Sequence, residues 1–454
     1  MGAIVSPDRT RIRPQRDSSA EGDNPSWNSI TRVAFRMCVA YFGLFSLVFA
    51  QITFVFTGLA GQWLPDDAIL WQMKTLDPVT SWVGRQVFGI DAVLHDSGSG
   101  DQAVIWVLVF CLLVVAAVIT GIWTALDRRS EYTRPNAWFL VFIRLCLAGQ
   151  MIFYGIAKVI PTQMPSPPLA ALLQPYGDFS PMSVLWMQVG SSHPYEILLG
   201  CAEVLGGLLL VLARTATLGA MLSLVSLAQV FVLNMTFDVP VKILSFHLVL
   251  LCLVLLAPQT RRLANVLVLE RPSEPATQPR LFRTQRAERI ATTAQIFLGI
   301  WVLIGCVQIG WDSWREYGGG APKPSLYGIW NVTDFDMDGA ALPPLTTEQN
   351  RWQRLVFDTD GATYQRMDGS RVPIEAVIDR DARTIVLSER AQETSAQPSQ
   401  LASFTFEQPD PDRLILRGQL SGRPVTVFLD ELNLDSFPLR NRGFHWVQDY
   451  PYFH

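Results

Sequence analysis

Seven stretches of this 454-residue chain are apolar over the roughly 20 residues that a helix needs to cross a bilayer. They run over about 33–58, 103–125, 137–160, 195–213, 216–236, 242–258 and 291–311. In lipid every backbone amide and carbonyl must find its partner inside the segment, so each run is expected to be a helix. Seventeen Lys and Arg residues lie on one set of connecting segments, from Arg9 through Arg128, Arg129 and Arg214 to Arg289. The alternate loops before residue 313 hold three, Lys74, Arg85 and Lys242. Cations accumulate on the cytoplasmic side, so the N-terminus is expected inside and everything after about residue 313 outside the cytoplasm, with the inner (plasma) membrane as the location.

Composition agrees, with only 17% charged residues against roughly a quarter in soluble domains. A net charge of −4 offers nothing to nucleic acid. The six cysteines all sit in apolar runs, none as C-x-x-C, so they read as small packing residues and not as a thiol relay. Residues 1–32 form a polar, Arg-rich tail without the apolar core of a secretory signal. Residues 33–136 hold two spans and an outside loop, residues 137–260 a four-helix core, and residues 261–312 a basic loop and the seventh span.

From 313 to 454 the pattern changes to period 2, as in Phe404/Phe406, Leu414/Leu416 and Val425/Val427/Leu429. Asp338-Gly339, Asp360-Gly361, Asp368-Gly369 and Ser421-Gly422 punctuate it as hairpin turns. About eight short strands are expected, closing as an antiparallel barrel or sandwich. The opening Gly328-Ile-Trp330 resembles the start of lipocalin-like barrels. Asp334, Asp336 and Asp338 imitate a calcium loop, but Leu345 stands where its bidentate Glu belongs, so an acidic turn is expected. The aromatic end, Phe444 to Phe453, is expected against the barrel or the membrane interface. Between spans three and four, the apolar run Met182–Val189 is expected as a short helix closing over the bundle.

Ionisable groups inside a bilayer are costly and mark function by default. The third span carries Arg144, Gln150, Tyr154 and Lys158, the last three at i+4 spacing on one face. Glu203 lies about 12 Å into the fourth span, too deep for a carboxylate to reach water. Asn234 and His247 fall at comparable depth in the fifth and sixth. Two readings of this set stand: a polar pocket for ligand or catalysis, or an ion pair of Glu203 with Lys158 or Arg144 that only holds the bundle together.

Arg144, Tyr154-Gly155-x-x-Lys158, Glu203-x-x-Gly206-Gly207 and Arg214 together resemble the DoxX-like (DoxX/DoxD) family of four-helix membrane proteins, over roughly residues 140–260. The whole layout resembles long forms of that family ending in an Arg-Gly-Phe-His-Trp stretch. The resemblance implies a subunit of a quinone-linked oxidoreductase, with a quinone as candidate ligand and a separate redox partner protein. Lys158, Glu203 and His247 would then handle protons, and Arg144, Gln150, Tyr154 and Asn234 would bind the ligand. Two alternatives remain. One is a non-enzymatic envelope protein whose bundle anchors a partner-binding β-domain. The other is an enzyme like the vitamin K-dependent carboxylases and their HTTM relatives, which the architecture resembles.

Overall fold

The computed structural model describes residues 27–273, 281–390 and 399–453; most of the polar N-terminal tail lies outside them. Among the described residues, seven helices are long and apolar enough to cross a membrane: α1 Ser29–Val48, α2 Ala103–Leu126, α3 Thr133–Val159, α4 His193–Val211, α5 Ala216–Thr236, α6 Lys242–Leu267 and α7 Gln285–Glu316. The molecule is therefore an integral, multi-pass membrane protein built as a helical bundle carrying a β-barrel.

The first span is shorter than its apolar run. α1 stops at Val48, and the chain goes on through a short helix, Ala50–Phe54, into tight 3-10 turns over Val55–Trp63. Gly58 there has φ +53°, and the α7 glycine Gly305 packs directly on it. A Cβ built on Gly305 would lie 2.4 Å from Gly58 Cα, so both positions need glycine. Trp301 of α7 donates from Nε1 to Phe56 O at 3.1 Å and ties the irregular segment down.

α3 and α4 form the closest helix pair. A Cβ on Gly200 would fall 2.6 Å from Gly155 O and 2.8 Å from Lys158 Cβ. Gly207 meets Ile152 and Ala148 in the same way. The glycines thus let the two backbones touch, as small residues do where lipid supplies no hydrophobic drive for helix association. The run after Ser180 forms the helix Pro181–Gly190, capped by the Ser180 hydroxyl accepting from Ser183 N.

The barrel strands are β1 Gly328–Met337, β2 Trp352–Asp358, β3 Gly361–Arg366, β4 Arg371–Asp379, β5 Thr384–Glu389, β6 Gln400–Asp410, β7 Arg413–Leu420 and β8 Arg423–Glu431. Each pairs antiparallel with the next, and β1 pairs with β8 from Trp330↔Glu431 to Met337↔Val425, which closes the ring. At the Asp338-Gly339 turn after β1 and the Ser421-Gly422 turn between β7 and β8, both residues have positive φ, the conformation that matches strand twist. The interior is filled by Trp330, Phe335, Trp352, Phe357 and Phe404 among others, so this barrel is a packed core and not a ligand cup. Asp338 takes a hydrogen bond from Arg423 Nε at 2.8 Å, and no cluster of three metal-binding side chains occurs among the described residues.

The barrel docks on the α3–α4 loop. Asp358 Oδ2 accepts from Leu169 N at 2.6 Å, and Leu169, Ile329 and Val356 form a small apolar cluster with Leu172 and Phe437. The aromatic C-terminal run does not pack back onto the barrel: Phe444, Trp446, Tyr450 and Phe453 are 76%, 91%, 84% and 94% exposed.

Candidate functional site

The glycine contacts between α3 and α4 set the site. With Gly200 and Gly155 in contact, the Lys158 stem lies flat on α4 and its ammonium reaches Glu203 Oε2 at 2.7 Å. Both side chains are 7% exposed. Taking both charges out of water costs several kcal/mol each, and mutual attraction offsets that only while the pair stays intact.

This pair lines a cavity of about 510 Å³ between α3, α4, α5 and α6, at the end of the bundle that carries the barrel. The walls are mainly apolar, including Met151, Leu199, Leu227, Leu233 and Leu248. The Pro181–Gly190 helix supplies the roof through Met182, Leu185, Trp186 and Val189. The barrel contributes no lining residue; it holds the loop that carries the roof.

Polar atoms are few and placed. The Tyr154 hydroxyl accepts from Gln51 Nε2 at 2.7 Å, which leaves its proton to donate. Gln150 donates from Nε2 to Gln51 O at 3.0 Å, while its Oε1 is buried without a hydrogen-bond partner. Gln163 Oε1 is likewise buried and unpaired. Asn234 donates to Ser245 Oγ at 3.1 Å and borders the cavity beside it. A cavity with apolar walls, an internal ion pair and unpaired amide oxygens suits an amphipathic guest that brings its own donors.

Five of the seven sequence candidates meet here: Gln150, Tyr154, Lys158, Glu203 and Asn234. His247 and Arg144 lie elsewhere. The His247 ring turns toward α1, stacks on Phe45 at 4.0 Å between centroids, and is held at both nitrogens. Its Nδ1 bonds Ile243 O and its Nε2 bonds the Tyr41 hydroxyl, each at 2.7 Å. A carbonyl only accepts, so Nδ1 carries a proton, and with Nε2 bonded to the Tyr41 hydroxyl both ring nitrogens are satisfied. The face that His247 presents is set by its contacts with Tyr41 and Phe45 of α1. Arg144 sits about 20 Å along α3 from Lys158 and hydrogen-bonds Gln295 of α7.

Three residues at or beside the site were not singled out from sequence. Gln51 and Gln163 are amides at the edge of apolar or proline-rich segments, and a census of amides near span ends would have found them. Glu196, wholly buried in the first turn of α4, was hidden because a carboxylate at a helix start normally reads as a solvated cap.

Fold and site together define a multi-pass membrane protein with a cavity between helices and a filled barrel beside it. The chain is 31% identical over 132 residues to the Bacillus subtilis (strain 168) protein described as "Uncharacterized protein YwoB", spanning 78% of that protein and 27% of this one. It belongs to the family of YwoB. No protein-family model matches the chain, and no solved structure matches it.

Proposed function

We propose that the bundle binds a lipid-soluble ligand with a polar head, a quinone first among the candidates, and that the protein is the membrane subunit of a redox assembly in the manner of DoxX-like proteins. The observation that carries this reading is the Lys158–Glu203 pair, buried at 2.7 Å on the wall of a 510 Å³ apolar cavity. A purely structural pair needs no cavity beside it, nor two unpaired amide oxygens near it. In this reading the ligand enters from the bilayer, its ring oxygens accept from Tyr154 and Lys158, and in the quinol form a ring hydroxyl donates to Gln150 Oε1. Glu203 exchanges a proton with it, work suited to a carboxyl held in a dry pocket. No electron carrier is built from the described residues' own chemistry, so electrons would come from a partner protein. In this reading the cavity faces the extracytoplasmic side of the inner membrane, which the charge asymmetry of the loops supports.

Titrating full-length protein in lipid nanodiscs with decylubiquinone, and following quenching of Trp186, tests this. Saturable binding weakened at least about tenfold in Glu203→Gln is expected, since a hydrogen bond to a charged group contributes about 1.5–3 kcal/mol. Equal affinity in both proteins would remove the ligand role from Glu203.

A second reading, an envelope protein that anchors a partner-binding surface, rests on the exposed aromatic tail, Phe444 to Phe453. Truncation after Asn441 that abolishes a pull-down partner while leaving decylubiquinone binding untouched would favour it.

A further inference from the structure

Two cavities meet at one thin seam. The membrane cavity is bordered by Met164 and Val189. A second cleft of about 470 Å³, between the α3–α4 loop, the exit of α7 and the barrel, is bordered by Pro165, Gly190 and His193. The seam is as tight as backbone allows: a Cβ on Gly190 would fall 2.3 Å from Pro165 O and 2.8 Å from Met164 O. No open channel joins the two spaces there.

Glu196 stands behind this seam. It is wholly buried, and its Oε1 accepts from Met164 N at 3.1 Å. Its Oε2 makes no hydrogen bond and lies 3.9 Å from His193 Nδ1. The His193 side chain is 46% exposed in the cleft, and its Nε2 shares a hydrogen bond with Ser166 Oγ at 2.9 Å. Along α4, Glu196, Gly200 and Glu203 follow at i, i+4 and i+7, on the face turned to α3. Lys158 lies against Gly200, between the two carboxyls, and its charge is felt at Glu196. A buried carboxyl with one free oxygen has no structural need to be an acid, because a glutamine would serve Met164 N equally well.

We propose that His193 and Glu196 carry protons between the barrel-side cleft and the Lys158–Glu203 pair, which makes Glu196 a positioning and relay residue for the cavity. The route rests on the ligand reading above, since only a cavity that exchanges protons with its guest needs one. A hydronium ion in the cleft gives its proton to His193 Nε2 and leaves as water, and His193 passes the proton on Nδ1 to Glu196 Oε2 and returns to a neutral ring. Rotation of the Glu196 carboxyl then turns that proton toward the pair, where the Glu203 carboxylate is its acceptor, since the Lys158 ammonium has no lone pair to take it. Each step moves one proton and no electrons, and runs in either direction. Of the charged groups packed around the route, Lys158 faces Glu196 from α3, and Lys323, Arg440, Asp358 and Asp360 border the cleft around His193.

The test follows proton exchange by infrared spectroscopy after a D₂O jump on full-length protein in nanodiscs. The carboxylate band of Glu203 is assigned by its loss in Glu203→Gln, and its shift reports deuteration of the pair. Glu196→Gln should slow that shift at least about tenfold, within the range one positioned proton carrier contributes. His193→Gln should slow it less, and both variants should keep wild-type decylubiquinone affinity. His193→Gln alters only a half-exposed side chain, so it keeps the test open should Glu196→Gln fail to fold. Exchange as fast in both variants as in wild type would overturn the route and leave the ligand reading standing. Wild-type protein that binds no decylubiquinone would instead overturn the reading on which the route depends.

Discussion

The bundle and the barrel solve burial in opposite ways. In the barrel, aromatic and aliphatic side chains fill the interior, and the buried Arg351 donates to Leu342 O at 2.9 Å and Thr333 O at 3.0 Å near one end. In the bundle, Lys158, Glu203, Glu196, Arg144 and Gln150 are all buried, and Gln150 keeps its Oε1 unpaired beside the cavity. A small closed sheet gains stability by filling its core and has little room for function inside it. A helical bundle in lipid associates through glycine contacts instead, and can leave a cavity without losing its core. Chemistry is therefore to be sought between α3 and α6, and the barrel acts through the loop it holds.

That contrast can be broken by paired substitutions. Trp330→Ala should cost about 3–5 kcal/mol of barrel stability and leave decylubiquinone binding unchanged, as read by thermal unfolding and titration on the same nanodiscs. Lys158→Met should cost about 3–5 kcal/mol in the bundle, since it strands the Glu203 charge. Adding Glu203→Gln should recover most of that stability without recovering ligand binding. Recovery of both would return the pair to a structural role.

Smaller effects sharpen the same distinction. Gly200→Val should push α3 from α4 at a cost of about 1–3 kcal/mol, and a stability scan that finds it neutral would remove the glycine contact as the site's foundation. Tyr41→Phe leaves His247 Nε2 without its hydrogen-bond partner and should cost about 1 kcal/mol, with ligand affinity unchanged because His247 lies off the cavity. Least of all is a pH effect where barrel meets loop. Burial, and then the charge of Asp358, raise the Tyr327 hydroxyl above its usual 10.0. A raised folded-state value means its contribution is intact below pH 10 and is lost as pH rises further. The thermal midpoint should fall above pH 10 in wild type and fall less in Tyr327→Phe.

Much of this was legible in sequence where one periodicity governs. Uninterrupted apolar runs gave the seven spans, and alternation with Asp-Gly and Ser-Gly turns gave the eight strands. The depth of Glu203 and the i+4 ladder ending at Lys158 put both in one candidate set, with Lys158 and Arg144 left as alternative partners for Glu203, and the structure pairs it with Lys158. What escaped was set by neighbours far along the chain. The face of His247 is decided by Tyr41 and Phe45, about 200 residues earlier. The break at Gly58 answers to Gly305, and the burial of Glu196 answers to a loop that folds over it. Of the two surfaces expected for the aromatic tail, the barrel is not the one it meets, since its rings are exposed there; side-chain type alone does not say what a segment packs on.

The claim that the cavity holds a lipid-soluble ligand through Lys158 and Glu203 is met most directly by mass spectrometry of small molecules that co-purify with the protein. Wild type is compared with the Lys158→Met, Glu203→Gln double variant, which should fold normally. The account predicts a quinone or similar amphipathic molecule in near-stoichiometric amount in wild type and its loss in the double variant. The same molecules retained by both proteins, or none by either, would contradict it.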